Sequence, residues 1–499
     1  MTTQTKSIIP EKGLGPHLAE RGHFLRGEHG KCYYHDRDSN TVTELKGSGH
    51  FKRHVFNLLG AKRFDKALKD ALRDAVEYGQ SVAQLATTAT LSCYSTKVQA
   101  LRVKVGGGKI VCITANGMKL ENNFEGGVLF VDEPGLVPPT FDEIKAANRK
   151  GEGFPQLRAA LLDQLPPPAK GGLTVAEMGA LIVAFWIGIF VRDLARARPI
   201  LAPIGPPESG KTDVARRLVL LLYGKGADVS GGASLGRAVK DLAASVTYRS
   251  FVARDDLNDA PDGMMDLICR IATGAKFELS KFHETLEMES YDPIAAIAIT
   301  AHMPKWALRR DVLSRLLPLR FALPPATKQT GAEREQLVLD ARAGVWAETL
   351  KALRAAVVSD ERWEPITRFP DWENIVRRVA KWSGNLDVLE SGLRKLAGQR
   401  TAVVVAADPF LGLLRAFAEQ PGMAARKWTS AGLADALAEF AGARLGEKQE
   451  HYADLVVRNP QTLGKLLSRI EREGAAVVVV TREPLKAHGN KVVWRIRPL

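Results

Sequence analysis

The residues with the plainest chemical purpose form one run, Gly205-Pro206-Pro207-Glu208-Ser209-Gly210-Lys211-Thr212, which satisfies the spacing G-x-x-x-x-G-K-[ST]. Each position answers a need of polyphosphate binding. Gly205 and Gly210 let backbone N–H groups turn toward phosphate oxygens, and a helix starting at the end of the run adds the positive end of its dipole. Lys211 reaches the β- and γ-phosphates, and Thr212 offers its hydroxyl to Mg2+. A chance glycine-rich turn can share this spacing, so the flanks decide. Pro199–Ile204 (PILAPI) reads as a buried strand before the run, and Asp213–Leu222 as an amphipathic helix after it. The expectation is an ATP site built from Gly205 to Asp213, with Mg2+ on Thr212.

Further elements would complete that chemistry. Arg249–Asp256 (RSFVARDD) reads as an apolar strand ending in two acids. Asp255 would hold Mg2+ through water, and Asp256 would orient or deprotonate the attacking water. The plain alternative is an ordinary strand-end turn. A third strand, Ile294–Thr300, leads to Thr300 and His302, placed where a polar side chain can sense the γ-phosphate. Arg309, Arg310, Arg315 and Arg320 follow. Arginines after a sensing strand can reach a γ-phosphate across a subunit boundary and stabilise its growing charge; Arg315 is the preferred finger, against the alternative of a solvated basic helix.

These groups need a large scaffold. The chain has 499 residues, which allows about three domains. Apolar residues make up 45% of it, which excludes a largely disordered protein. The net charge of +14 suits a polyanionic partner. Four scattered cysteines without a CxxC pair argue against a disulfide scaffold and for a reducing compartment. The N-terminus has no apolar signal-peptide region, and the most apolar run, Gly179–Val191, is shorter than a spanning helix. It predicts a buried helix from Thr174, with Glu177 completing a capping box, to about Ala197, and the cytoplasm as the default location.

The runs RPILAPIGPPESGKTDVARRLVLLLYG, SFVARDDLND, MMDLICRIATGAKFELSKFHETLE and RRDVLSRLLPLRF together resemble the AAA+ ATPases of phages, plasmids and integrated elements, the superfamily III or poxvirus-type primase-helicase group. The resemblance spans residues 174–325. It implies a ring oligomer, typically a hexamer, that translocates on DNA, with Gly205–Thr212 as Walker A, Asp255 and Asp256 as Walker B, and Arg315 as the finger. That group usually carries Asn at the sensor position; Thr300 and His302 stand there instead. Relatives also carry a pore hairpin before the sensor strand. Phe277–Tyr291 occupies that slot, so Lys281 and His283 would touch DNA phosphates, although the segment is net acidic.

The two ends read differently. The C-terminal stretch reads as a winged helix: a helix from Trp428, a second from Asn459, a strand at Ala475–Thr481, a basic loop at Arg482–Lys491 and a returning strand at Val492–Ile496. Lys465, Arg469, Arg482, Lys486 and Lys491, with Arg458, are candidate phosphate contacts on duplex DNA, and a protein-interaction module is the alternative. In the N-terminal region, His29, Cys32, His35, His50 and His54 have a spacing open to zinc, but the surrounding residues read as strand and no ligand pair of the usual kind is present. Asp36-Arg37-Asp38 reads as a turn rather than a primase acid pair.

The expected fold is therefore multidomain α/β. An N-terminal α+β domain (1–150) leads through linker and collar helices (151–198) to a P-loop AAA+ core (199–328). A helical lid and connector (329–400) and a winged helix (401–499) complete it. The expected function is an ATP-dependent DNA helicase or translocase of a phage or mobile element, acting in DNA replication. The rivals are an ATP-gated initiator or regulator without processive unwinding, a protein remodeller, for which no aromatic-Gly pore loop is evident, and a small-molecule kinase, which leaves the charge unexplained.

Overall fold

The computed structural model describes residues 9–27, 30–46, 49–61, 66–226, 238–260, 263–280, 288–302, 304–325, 330–444, 459–473, 478–484 and 492–498. Its centre is a parallel sheet of four short strands, Ile200–Ile204, Phe251–Arg254, Ala296–Ile299 and Leu316–Arg320. Across the sheet the order is 251–254, 296–299, 200–204, 316–320. The strand before the phosphate loop and the strand before the acid pair are thus not neighbours; the strand leading to Thr300 lies between them.

These strands read as continuous apolar runs because both of their faces are covered. Successive side chains alternate between two cores. Leu201, Ala253, Ala298 and Leu317 belong to one, with the helices Val175–Phe190, Lys211–Tyr223 and Gly331–Val358. Ile200, Val252, Ile297 and Leu316 belong to the other, with the helices Ala238–Tyr248 and Met264–Ala272. That second core continues into the C-terminal segment through Leu414, Trp428, Leu433, Leu463 and Trp494. The tail is therefore packed onto the sheet's back face through shared apolar side chains.

The apolar helix opens with the expected capping box: Glu177 N–H donates to Thr174 Oγ1 at 3.2 Å and Thr174 N–H to Glu177 Oε2 at 2.8 Å. It ends at Phe190, earlier than the sequence pattern predicts. The charged residues that follow are drawn sideways to partners from other elements. Arg192 donates to Asp292 at 2.9 Å, and the Asp193 carboxylate accepts the Tyr94 N–H at 2.9 Å. Arg198 is buried and donates to the Gly188, Ile294 and Ala295 carbonyls, which ties the helix's end to the start of the strand Ala296–Ile299. Burial brings its pKa down to about 9.

Residues ahead of this core form two smaller assemblies. Strands Gly22–Arg26, Cys32–Asp36 and Thr41–Glu44, with helices Leu14–Arg21, His50–Leu58 and Lys66–Val82, enclose their own core around Leu18, Tyr34, Phe51 and Leu72. A meander of Ser92–Ser95, Ala100–Lys104, Lys109–Thr114 and Gly117–Asn122 shares the large core through Leu101, Val103, Val111 and Ile113. Gly107 and Gly108, both at positive φ, make its central turn.

A buried carboxylate joins the N-terminal part to the sheet. Glu133 Oε1 accepts the Tyr223 hydroxyl at 2.5 Å and the Ser250 N–H at 2.8 Å, while Oε2 accepts the Ser250 hydroxyl at 2.5 Å. Tyr223 closes the phosphate-loop helix and Ser250 precedes the acid strand. Burial pushes the Glu133 carboxyl above its ordinary pKa, the three hydrogen bonds opposing it. A raised folded-state pKa means the native chain binds more protons than the unfolded one, so Glu133 contributes less stability as pH rises above the ordinary Glu value. Glu133→Ala, which strands the Ser250 N–H, is expected to cost about 2–4 kcal/mol in urea unfolding. Glu133→Gln is expected to cost less and to show a flatter pH dependence of stability above about pH 4.5; equal slopes for both proteins would refute the assignment.

Candidate active site

The phosphate loop connects the strand Ile200–Ile204 to the helix Lys211–Tyr223. Gly205 and Gly210 are required by space and by backbone. A Cβ on Gly205 would stand 2.5 Å from Ser209 Oγ, and Gly210 has φ 80° and lies so near Pro166 that a Cβ would be 2.7 Å from its ring. Glu208 also adopts a left-handed φ of 63°, so the loop carries strain that glycine alone does not relieve. The helix that follows has no side-chain N-cap, which leaves its first-turn N–H groups free to bind an anion.

Lys211 is buried, and among the described residues only the Pro206 carbonyl lies within hydrogen-bonding distance of its ammonium, at 3.4 Å. The Ser209 hydroxyl is buried without a hydrogen-bond partner among the described residues. A buried ammonium, an orphaned hydroxyl and uncapped helix N–H groups fit a polyphosphate. Pro206 and Pro207 form the outer turn, where Ser209 N–H donates to the Pro206 carbonyl at 3.2 Å. Asp213, expected beside the nucleotide, has its carboxylate turned away to Arg217 at 2.7 Å and Arg334 at 3.7 Å. It ties the loop's helix to the long helix behind it, and only its backbone N–H faces the phosphate end.

The acid pair lies against this loop. Asp255 Oδ1 accepts hydrogen bonds from the Thr212 hydroxyl at 2.7 Å and the Thr300 hydroxyl at 2.5 Å. The Thr300 oxygen in turn accepts the Asp256 N–H at 2.9 Å. Thr300 is fully buried and both of its hydrogen-bonding functions are engaged with the acids. Asp256 has φ 51°, a left-handed backbone that swings its side chain away from that of its neighbour. Its Oδ1 accepts from Asn258 Nδ2 at 2.8 Å. Asn258 Oδ1 accepts the His302 N–H at 2.7 Å, and His302 Nδ1 lies 3.2 Å from the Gly205 carbonyl. Thr212, Asp255 and a divalent cation are chemically matched: a hydroxyl and a carboxylate oxygen held together suit the hard oxygen donors that Mg2+ prefers.

Asn258, which the sequence reading passes over, closes this ring of contacts. Its only signal is a position two residues past Asp256. The arginines sort by strand register. Arg320 pairs with Ile204, the residue before the loop, whereas Arg315 sits one residue before the strand's start, beside Ile200 at the opposite edge. Five strand residues separate those edges by roughly 16 Å. Arg315 donates to the Asp311 carbonyl and neighbours Arg368, just ahead of the helix Pro370–Trp382, and Arg400 of the helix Leu386–Ala407. Arg368 donates to Ser314 Oγ at 2.7 Å and Arg400 to the Leu316 carbonyl at 2.9 Å. Burial brings the Arg400 pKa down to about 10 and also lowers that of Arg368. Arg309 is paired with Asp266 and Asp311.

Lys281 and His283 lie outside the described residues, as do Lys486, Lys491 and Arg458. The strands Phe277–Ser280 and Met288–Tyr291 do pair as an antiparallel hairpin. In the tail, helices Ser430–Arg444 and Pro460–Glu473 pack with the paired strands Val478–Pro484 and Val492–Pro498. Asn459 caps the second helix, its Oδ1 accepting the Gln461 N–H at 2.9 Å. Lys465 and Arg469 are exposed one turn apart, opposite buried Leu463, Leu467 and Ile470. Arg482, expected in a loop, lies on the strand, exposed, with its N–H on Glu471. In the N-terminal part, His54 Nε2 is 3.2 Å from buried Asp36, which also caps its own turn through the Asp38 and Ser39 N–H groups.

No protein-family model matches the chain, and no curated protein matches it. Among solved structures, the A form apo structure of the NrS-1 C-terminal region aligns with 96% of this chain and 97% of that one, at 12% identity and a TM-score of 0.40. The SCCmec type IV Cch active helicase aligns with 80% of this chain and 77% of that one, at 12% identity and a TM-score of 0.41. A JCV helicase bound to a small molecule aligns with 54% and 67%, at 17% identity and a TM-score of 0.25. Likeness at this level assigns neither family nor activity.

The contacts of Thr300 generate a test. Thr300→Val keeps the shape but removes the hydroxyl that orients both acids. It is expected to lower ATP turnover about 10- to 100-fold, from the loss of a buried hydrogen bond, with nucleotide affinity nearly unchanged. Thr300→Ser is expected to restore most of the rate. A valine variant with parental turnover would show that the acids hold their positions without it.

Proposed function

We propose that this chain is a Mg·ATP-driven DNA translocase of the AAA+ class, a helicase acting in replication of a mobile element as a ring oligomer. The observation that carries the reading is the single carboxylate oxygen, Asp255 Oδ1, held at once by the loop's Thr212 and by Thr300. A chance glycine turn has no reason to meet a strand-end acid across an intervening strand.

The chemistry follows from these residues. The N–H groups of the loop and first helical turn, with the Lys211 ammonium, bind the β- and γ-phosphates. Bound Mg2+ would supply charge neutralisation between those phosphates, held by Thr212 and, through water, by Asp255. Asp256 orients a water and takes its proton as the water oxygen bonds to the γ-phosphorus and the bond to the β-phosphate oxygen breaks. His302, joined to the loop at Gly205 and to Asp256 through Asn258, is placed to report γ-phosphate loss to the sensing strand.

The ring is supported by where Arg315 sits. It is on the sheet edge away from its own loop, in a group with Arg368 and Arg400 that has no carboxylate ion pair among the described residues. Arginines so placed suit a neighbour's γ-phosphate. DNA as the partner is supported by the +14 charge and by exposed Lys465, Arg469 and Arg482 on the tail.

Lys211→Ala is expected to reduce ATP turnover by orders of magnitude while the chain stays folded, and Asp256→Asn to bind ATP but hydrolyse it slowly. Arg315→Ala alone is expected to be inactive as an assembly. Mixed with Lys211→Ala, it is expected to regain part of the activity, because some boundaries then pair an intact loop with an intact arginine. No recovery at any mixing ratio would count against a finger acting between subunits.

A further inference from the structure

A cleft of about 900 Å3 opens between the N-terminal strands and the N-terminal edge of the central sheet, away from the phosphate loop. Its lining is unusual for this chain. Four of the eight tyrosines, Tyr33, Tyr94, Tyr248 and Tyr291, line it. They come from four separate elements: two N-terminal strands, the helix before the acid strand, and the hairpin Phe277–Tyr291. Tyr248 is 42% exposed although large and aromatic, and Lys31 Nζ lies 4.8 Å above its ring. The Tyr291 ring stacks on Phe277, with centroids 5.4 Å apart and planes 8° from parallel, so the hairpin root is itself a rigid aromatic step.

The cations of this region exceed its acids. Arg192 at 2.9 Å, Arg196 at 3.2 Å and Lys276 at 3.6 Å converge on the one carboxylate of Asp292, and Arg196 remains half exposed. Asp193 is the other acid on the wall, and its carboxylate already accepts the Tyr94 N–H. Separate aromatic faces with cations between them are the composition that binds single-stranded nucleic acid, because every base has a face to stack and every linkage a charge. A mononucleotide pocket would instead need donors converging on one base and a loop for its phosphates, and the walls named here supply neither.

We propose that this cleft binds a single-stranded polynucleotide, its bases stacking on Tyr248 and Tyr94 and its phosphates meeting Arg196 and Lys31. The proposal rests on the nucleic-acid half of the function proposed above, and in it the N-terminal part forms one wall of the strand's path. Ser250, which also lines the cleft, precedes the strand Phe251–Arg254 that leads to Asp255, so a bound single strand lies one strand's length from the acid pair.

The test uses the full chain and fluorescence anisotropy with labelled oligo(dT) and, separately, oligo(U). Tyr248→Ala and Tyr94→Ala are each expected to weaken binding roughly 5- to 100-fold. Tyr248→Phe, which keeps the ring, is expected to bind as the parent does, separating lost stacking from lost folding. Arg196→Ala is expected to reduce the slope of log K against log salt by about 0.7. ATP turnover without nucleic acid is expected to be the same in all four. If the parent binds oligo(dT) and both alanine variants bind it equally well, the cleft is not the site, while the translocase reading stands. If oligo(U) alone binds, and binding depends on these tyrosines, the cleft stands and the DNA assignment falls. A parent that binds neither oligonucleotide overturns both.

Discussion

One carboxylate oxygen organises the centre of this molecule. Asp255 Oδ1 is the meeting point of three chain segments that share no local sequence: the helix that begins at Lys211, the end of the strand Phe251–Arg254 and Thr300, the residue past the strand Ala296–Ile299. Hydroxyl donors on both sides leave the carboxylate little freedom to rotate. The left-handed backbone of Asp256 is supported by the same Thr300 oxygen, so the strained geometry and the oriented acid have one common cause. Holding three segments at hydrogen-bonding distance needs a rigid base, and the sheet supplies it by burying both faces of four parallel strands between two apolar cores.

What could be read in the sequence was what local rules govern. The phosphate loop was legible because glycine spacing, lysine and threonine act within one turn of chain, and its flanking strand and helix carry their own periodicity. The acid strand was legible as an apolar run with charges at its end. The capping box of Thr174 and Glu177 and the helix start at Asn459 follow the same logic. Illegible were features decided by distant partners. Asp213 reads as part of the nucleotide site until Arg334 of the long helix joins Arg217, one turn on, in taking its carboxylate. The apolar helix stops at Phe190 because Asp292 and the Tyr94 N–H capture the next charged residues. Asn258 became visible only when the sheet brought Asp256 and His302 to either side of it.

The charge distribution also depends on tertiary placement. Arg315, Arg368 and Arg400 are far apart in sequence, yet they gather at one sheet edge, where Arg400 gives its hydrogen bond to a backbone carbonyl rather than a carboxylate. Arg320 stands at the other edge beside the loop. The sheet therefore presents positive charge at both ends of its strands. A chain that kept all of its cations neutralised internally would show ion pairs at these places.

The strand order also governs how the chain reaches this arrangement. The strand Ile200–Ile204 lies between partners roughly a hundred residues downstream, Ala296–Ile299 and Leu316–Arg320. Pairings so distant must close long loops before they return any stabilisation, so the sheet belongs to the slow-folding end of topologies. During synthesis the phosphate loop leaves the ribosome with neither neighbour of its strand yet made. Its glycines, its strained Glu208 and its lysine have no binding geometry until the chain has passed Arg320, and the back-face core, begun by the helices Ala238–Tyr248 and Met264–Ala272, is completed only when the tail arrives. A protein of this topology spends its early life with an apolar strand unpaired, the condition that calls for chaperone protection.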